Sequence, residues 1–148
     1  MTRAMLAVVV HRMAGSPEPD DAVSLPFTDV AESAWYLDSV RWCYAEGIVA
    51  GTSDTTFSPN NSITREQAAV FLYRLAGALG LDTTVSNPNA ADGFGDASQI
   101  GSYAKTAVSW AVERGIMGGH NNLLTPKSSA TRVQLAQMLY SFDTVYAD

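Results

Sequence analysis

Phe57-Ser58-Pro59-Asn60-Asn61-Ser62-Ile63-Thr64-Arg65-Glu66-Gln67-Ala68-Ala69 is a crowded turn running straight into the start of a helix. Its Pro, Asn and Ser residues favour turns, whereas Thr64 is a good N-cap and Gln67 occupies the N3 place of a capping box. Apolar Ala68, Ala69, Leu72, Leu75 and Ala76 follow at helical spacing and predict a buried stripe. The pattern returns 67 residues later as Leu124-Thr125-Pro126, then Thr131-Arg132 with Gln134 at N3. Leu135, Ala136, Met138 and Leu139 are the expected stripe of that helix. Thr2-Arg3 is a third occurrence, 62 residues before Thr64, with Met5 in the N3 place and the box therefore incomplete.

Upstream of each turn lies a second set of matches. Phe27-Thr28-Asp29 reappears as Phe94-Gly95-Asp96 at an offset of 67. After one inserted residue, Trp42 pairs with Trp110, Glu46-Gly47-Ile48 with Arg114-Gly115-Ile116, and Gly51 with Gly119, all at an offset of 68. Tyr36, Val40, Cys43 and Tyr44 share one face of a predicted helix, as do Ala104, Val108 and Ala111 or Val112 in the next copy. Gly47 and Gly115 stop those helices because glycine takes positive φ at little cost. The expected fold is all-α. Residues 1–15 are the closing helix of a partial repeat, 16–26 a linker, 27–77 a complete repeat and 78–93 a second linker. A more divergent complete repeat spans 94–143, and 144–148 form a tail.

Composition narrows the function classes. In 148 residues, a net charge of −6 argues against a nucleic-acid partner, which needs a concentrated basic surface. No run is apolar enough for a membrane span. Arg3, the short apolar run Ala4 to Val10 and Ala14-Gly15-Ser16 imitate a signal peptide, but His11 and Arg12 break the run and it has counterparts later in the chain. Cys43 is the single cysteine and reads as a small buried hydrophobe. No cofactor or metal is expected. His11 and His120 lack spaced partners, and the loop Thr52 to Asn61 lacks the alternating oxygen ligands of a calcium loop. Asp38, Glu46 and Glu113 are not fixed as an acid–base pair by anything in the sequence, so no enzyme is expected.

The ordered landmarks Phe-x-Asp, Trp, Gly-Ile-x-x-Gly, Phe-x-Pro-Asn and Ile-Thr-Arg-Glu resemble the S-layer homology repeat. The middle unit carries every part; the later one has Tyr103 for the Trp and Leu124 for the Phe. The resemblance implies repeats packed with pseudo-threefold symmetry, noncovalent attachment of a larger secreted bacterial surface protein to the cell wall, and a secondary cell-wall polysaccharide, often pyruvylated, held in grooves between repeats. It also carries the motif arginine onto Arg3, Arg65 and Arg132. The closing Glu of the family's motif is Met5, Gln67 and Gln134 here.

The arginine stands out without the family. At N1 it puts a cation beside the positive end of the helix dipole, unfavourable by about 0.3–1 kcal/mol, and it does so three times. Two explanations remain open: clasping an anion, or a salt bridge to a neighbouring carboxylate such as Asp29 or Asp96. Asp29 and Asp96 read as caps or turn formers first and groove residues second. Trp35 and its counterpart Tyr103 are candidates for stacking on a sugar ring, whereas Trp42 and Trp110 belong to the core. Two other readings stand beside glycan attachment: a protein-interaction module that kept the fold and lost the sugar, and part of a polysaccharide-processing enzyme.

Overall fold

The computed structural model describes residues 1–147, which contain five α-helices: α1 (Arg3–Met13), α2 (Leu37–Ala45), α3 (Arg65–Ala78), α4 (Lys105–Glu113) and α5 (Arg132–Tyr146). Two short 3-10 turns, Ala97–Gln99 and Ser102–Ala104, precede α4. Strand-like pairing among these residues is limited to the isolated bridges Thr2 with Ser62, Thr64 with Ser129, and His120 with Leu123. The all-α expectation holds. Asp148, last residue of the expected tail, lies outside the described residues, and α5 continues through residues 144–146.

Local signals act where the sequence placed them. Thr64 and Thr131 each accept a hydrogen bond from the N3 backbone, and their own N–H groups donate to the side-chain oxygens of Gln67 and Gln134, completing both boxes. Thr2 accepts from the Met5 N–H, and methionine has no group to reciprocate. Gly47 and Gly115 both take φ +69° just past α2 and α4.

The chain divides into two compact units, Met1–Ile63 and Thr64–Asp148. The division falls inside the 27–77 repeat: each unit joins a Thr-Arg helix to the Phe-x-Asp segment that follows it. In the first unit α1 packs on α2, burying Leu6, Ala7, Val10, Val40, Cys43, Ile48, Phe57 and Ile63. Each large side chain so removed from water contributes about 1.5–3 kcal/mol of transfer free energy. Cys43 behaves as expected: its Sγ lies 3.5 Å from the Ala7 carbonyl, and burial pushes the thiol up to about 12. In the second unit α3 packs on α4 around Leu72, Leu75, Val108, Trp110, Ile116 and Leu124. Trp42 and Trp110 are core residues. The first meets His11 in a stacked pair, the second meets Tyr73 and Phe142 edge-on.

Helix α5 departs from expectation. It buries Leu135, Met138 and Phe142, while Ala136 is exposed and Leu139 half-buried. The helix rests on one line of residues spaced by three and four, and the adjoining line is bare.

Candidate functional site

Each unit contains a loop shaped by one carboxylate. Asp29 accepts from the backbone N–H groups of Phe57 and Ser58, both at 2.8 Å. Asp96 does the same for Leu124 at 2.9 Å and Thr125 at 2.7 Å. Ser58 and Thr125 consequently sit at φ +57° and +49° immediately before a proline, a conformation that costs a residue with a Cβ and is disfavoured before proline. Two charge-assisted bonds to one carboxylate offset that strain. Gly51 and Gly119 complete the loop, since a Cβ at either would strike the ring of Phe27 or Phe94 and a loop carbonyl. The recurring Phe, Asp and Gly are therefore parts of one device.

The Thr-Arg helix plugs into this loop. In the first unit the N–H groups of Arg3 and Ala4 donate to the carbonyls of Asn61 and Pro59; in the second, those of Arg65 and Glu66 donate to Ser128 and Pro126. N-terminal helix donors that would otherwise lack partners are thus satisfied. The guanidinium finishes the joint. Arg3 Nε donates to the Phe57 carbonyl at 2.8 Å and Nη2 to Ala50 at 2.9 Å, with the Phe57 ring 4.9 Å from its Cζ. Arg65 Nε donates to Leu124 at 2.8 Å and Nη2 to Gly118 at 2.6 Å. Burial lowers the Arg65 pKa, opposed by the nearby Asp96 carboxylate. Burial pushes the Asp96 carboxyl up, but its bonds from Leu124 and Thr125 and the charge of Arg65 outweigh that and hold it below the usual carboxylate range.

The Arg65 guanidinium feels the Asp96 charge, as one of the two sequence explanations expects, but its hydrogen bonds and those of Arg3 take another course. Each is directed to main-chain carbonyls, a use that side-chain types in the sequence do not reveal. Arg132 differs from both: it is exposed at the start of α5. Trp35 is 67% exposed and meets Tyr36 edge-on, and Tyr103 is 55% exposed. Of the candidate residues, Trp35, Tyr103 and Arg132 are exposed, whereas the side chains of Arg3, Arg65, Asp29 and Asp96 hold main-chain groups of the loops.

Sequence reasoning missed Glu66. Only 1% exposed, it accepts from Gly101 N–H at 2.9 Å, Tyr103 Oη at 2.8 Å and Lys127 Nζ at 2.6 Å. The available signal was the repeat itself, because Glu66 stands where the other copies have Ala4 and Val133.

A hollow of about 470 Å³ in the second unit is lined by Arg65, Gly118, Gly119, His120, Asn121, Leu123, Thr125 and Gln134. Its rim is a tight turn in which His120 and Leu123 exchange backbone hydrogen bonds across Asn121 and Asn122, both at positive φ. A shallower hollow of about 250 Å³ in the first unit is lined by Asp29, Ser58, Pro59, Asn60 and Asn61. Trp35, Asp96, Tyr103, Arg132 and Arg3 line neither. The larger hollow offers amide, imidazole and guanidinium groups, a lining suited to hydroxyl-rich or anionic ligands. Among the described residues no three His, Cys, Asp or Glu side chains cluster as a metal site, and no helix is long and apolar enough to cross a membrane.

Residues 26–69 and 93–136 match the family model of the S-layer homology domain. An amylopullulanase of Thermoanaerobacterium thermosulfurigenes is 32% identical over 95% of this chain and 7% of its own length. The surface-layer 125 kDa protein of Lysinibacillus sphaericus is 32% identical over 74% of this chain and 9% of its own. S-layer protein EA1 of Bacillus anthracis is 31% identical over 95% of this chain and 15% of its own. The chain therefore spans a small fraction of each relative.

Proposed function

We propose, from the premise that this chain belongs to the S-layer homology domain family, that it is a noncovalent module holding a larger protein to the bacterial cell wall through an anionic secondary wall polysaccharide, of which a pyruvylated one is an example. The observation that carries this reading is the match of two successive repeats to the family, with S-layer and surface-layer proteins among the relatives. An extracellular, wall-bound location and the pseudo-threefold packing of repeats belong to the same proposal. So does the absence of catalysis: the amylopullulanase shares only 7% of its length with this chain.

The hollow at Arg65, His120, Asn121 and Gln134 supports a glycan because it offers several fixed hydrogen-bonding groups around a space the size of a sugar unit. Exposed Trp35, Tyr103 and Arg132 supply the remaining contacts in this proposal, two rings for stacking and one cation for a carboxylate. Arg3, Arg65, Asp29 and Asp96 shape the loops that present them. Cosedimentation with purified wall sacculi, before and after extraction of the wall polymer, tests the reading. Pelleting is expected only with the polymer in place. Equal pelleting in both, or none in either, overturns it, and capture of a purified surface protein by a chain that ignores sacculi would favour the protein-interaction reading.

A further inference from the structure

Residues 21–25 of the first unit and 88–92 of the second hold the same place in the repeat, just ahead of Phe-x-Asp, and both segments line a hollow against the helix that follows. Offsets of 67 and then 68 match Leu25 with Asp92, Val30 with Ala97, Leu37 with Lys105 and Arg41 with Ser109. The contents differ. In the first unit the Arg41 guanidinium lies there, its nitrogens 3.1 Å from Asp21, 3.7 Å from Glu32 and 4.0 Å from Asp38, so the charged side chains are spent on one another. In the second unit the short Ser109 replaces the arginine, and a hollow of about 400 Å³ remains.

The wall of that hollow is held from α4. Glu113 accepts from the backbone N–H groups of Ser86, at 3.0 and 3.2 Å, and of Asn87, at 3.3 Å. One helical turn earlier, Ser109 Oγ donates to the Pro88 carbonyl at 2.8 Å. The chain then turns twice, with Ala90 N–H on the Asn87 carbonyl and Asp92 N–H on the Asn89 carbonyl, both at 3.0 Å. Ala91 and Ile100 are buried at its base, and Ala97 is half-buried beside them. Asn89, Asp92, Ser98 and Lys105 form the exposed rim. Among the described residues, none of these four side chains has a hydrogen-bond or ion-pair partner. A fixed wall with free polar groups over a small apolar base loses little freedom when a ligand enters.

We propose that this hollow is a subsite for one sugar residue bearing an acidic substituent. The rim selects that class. A simple anion would meet Lys105 and be repelled by Asp92, whereas a neutral sugar would satisfy Asp92 and leave Lys105 without a partner. A sugar acid serves both. Its hydroxyls donate to Asp92 and bond with Asn89 and Ser98, its carboxylate accepts a charge-assisted bond from Lys105, and its C–H face rests on Ala91, Ala97 and Ile100. The hollow shares no lining residue with the one at Arg65, so the second unit holds two separate sugar residues of a polymer, and linked contacts raise overall affinity through effective concentration. The inference rests on the wall-glycan reading for the source of the sugar.

The test is an NMR titration of the amide signals with methyl β-glucuronide, set beside methyl β-glucoside and acetate, which carry the hydroxyls and the charge separately. Saturable shifts are expected at Asn89, Asp92, Ser98 and Lys105, at least fivefold tighter for the glucuronide than for either half. Lys105→Glu should abolish them, and it leaves the fold intact because an acidic residue suits the first turn of α4. Lys105→Met, which only removes the charge, should weaken them at least threefold, as should Asp92→Ala. No response at these four amides overturns the proposal, as does equal binding of acetate or a response that survives both lysine variants. If the Asn121 and Gln134 signals still respond and the chain still pellets with sacculi, the wall-glycan reading stands without this subsite. If the four amides titrate as expected and the chain ignores sacculi, the subsite stands and the wall-glycan reading falls.

Discussion

The first unit and the second share a backbone device and differ in almost every polar side chain around it. In both, an aspartate holds two loop amides, a glycine admits an aromatic ring or its counterpart, and an arginine at N1 joins helix to loop through carbonyls. The fittings differ. The first unit has Ala4 beside its arginine and a hydroxyl cluster of Thr52, Ser53, Thr56 and Ser58 in its loop. The second has buried Glu66 gripping Gly101, Tyr103 and Lys127, and a tight turn through two asparagines. What recurs is directed at main-chain atoms, which any loop of that shape offers. What varies is joined largely side chain to side chain.

The largest effect should come from breaking the shared device. Arg65→Ala leaves the carbonyls of Leu124 and Gly118 without donors inside a packed joint. Each lost bond to a charged group is worth about 1.5–3 kcal/mol, so a loss of about 3 kcal/mol or more is expected by chemical denaturation. Arg3→Ala should cost a similar amount in the first unit. Arg132→Ala should cost less than about 0.5 kcal/mol, because an exposed side chain has little to lose. Equal losses at all three positions would dissolve the distinction between construction and exposure.

Second in size is the element the units do not share. Glu66→Ala converts the second unit to the first unit's pattern and strands the Gly101 N–H and Tyr103 hydroxyl, at an expected cost of about 2–3 kcal/mol. Lys127→Met should cost about 1.5–3 kcal/mol, since it takes the one cation from a buried carboxylate, although the lysine itself is 54% exposed. The reverse graft, Ala4→Glu, buries a carboxylate where α1 has no established donors and should unfold the first unit first. Circular dichroism melts of the three variants order these effects.

How legible this was depends on where each group points. Thr64, Thr131, Gln67 and Gln134 were readable because capping is settled within four residues of chain. Gly47 and Gly115 were readable for the same reason. The repeat, all-helical class and core tryptophans followed from spacing and identity. Arg3 and Arg65 were recognisable as unusual but not assignable, because their partners are carbonyls 47 to 59 residues away that carry no side-chain signature. The stripe of α5 was overread at Ala136: periodicity gives a face its apolar character and says nothing of what covers it. The Glu66 cluster joins residues 35 to 61 apart, beyond any local rule, although the odd residue at that repeat position marked it.

A smaller difference separates the two aspartates in burial, and the buried one has a consequence under acid. Asp96 is 6% exposed, while Asp29 is exposed. Because the folded Asp96 pKa lies below its ordinary value near 4, the stability it contributes is fully present above that value and is lost as pH falls through the lower folded pKa. The melting temperature of the wild-type chain should therefore fall below about pH 4. In Asp96→Asn the acid slope should flatten and the plateau drop, since one amide face turns a donor toward a backbone donor. Exposed Asp82, held at about 2 by bonds with Thr84 and with Arg114, adds a second acid-labile contribution. High salt should weaken that one and spare Asp96, because solvent reaches Asp82 directly. An acid slope unchanged in Asp96→Asn but removed by salt would place the sensitivity in the Asp82 pair.

The smallest stability changes should accompany the exposed aromatics, and there the comparison turns from folding to binding. Trp35→Ala should move stability by less than about 0.5 kcal/mol, since its ring lies mainly in solvent. Tyr103→Phe should cost about 1 kcal/mol, because it removes one donor from buried Glu66 while keeping the ring. If both rings stack on wall sugars, Trp35→Ala should weaken sacculus pelleting several-fold with no change in melting, and Tyr103→Phe should weaken it less than Tyr103→Ala. A Trp35→Ala chain that pellets like wild type, beside a Tyr103→Ala chain that does not, would locate glycan recognition in the second unit. That unit already combines the larger hollow with the fixed tyrosine, so binding energy would then follow its unshared fittings rather than the common arginine device.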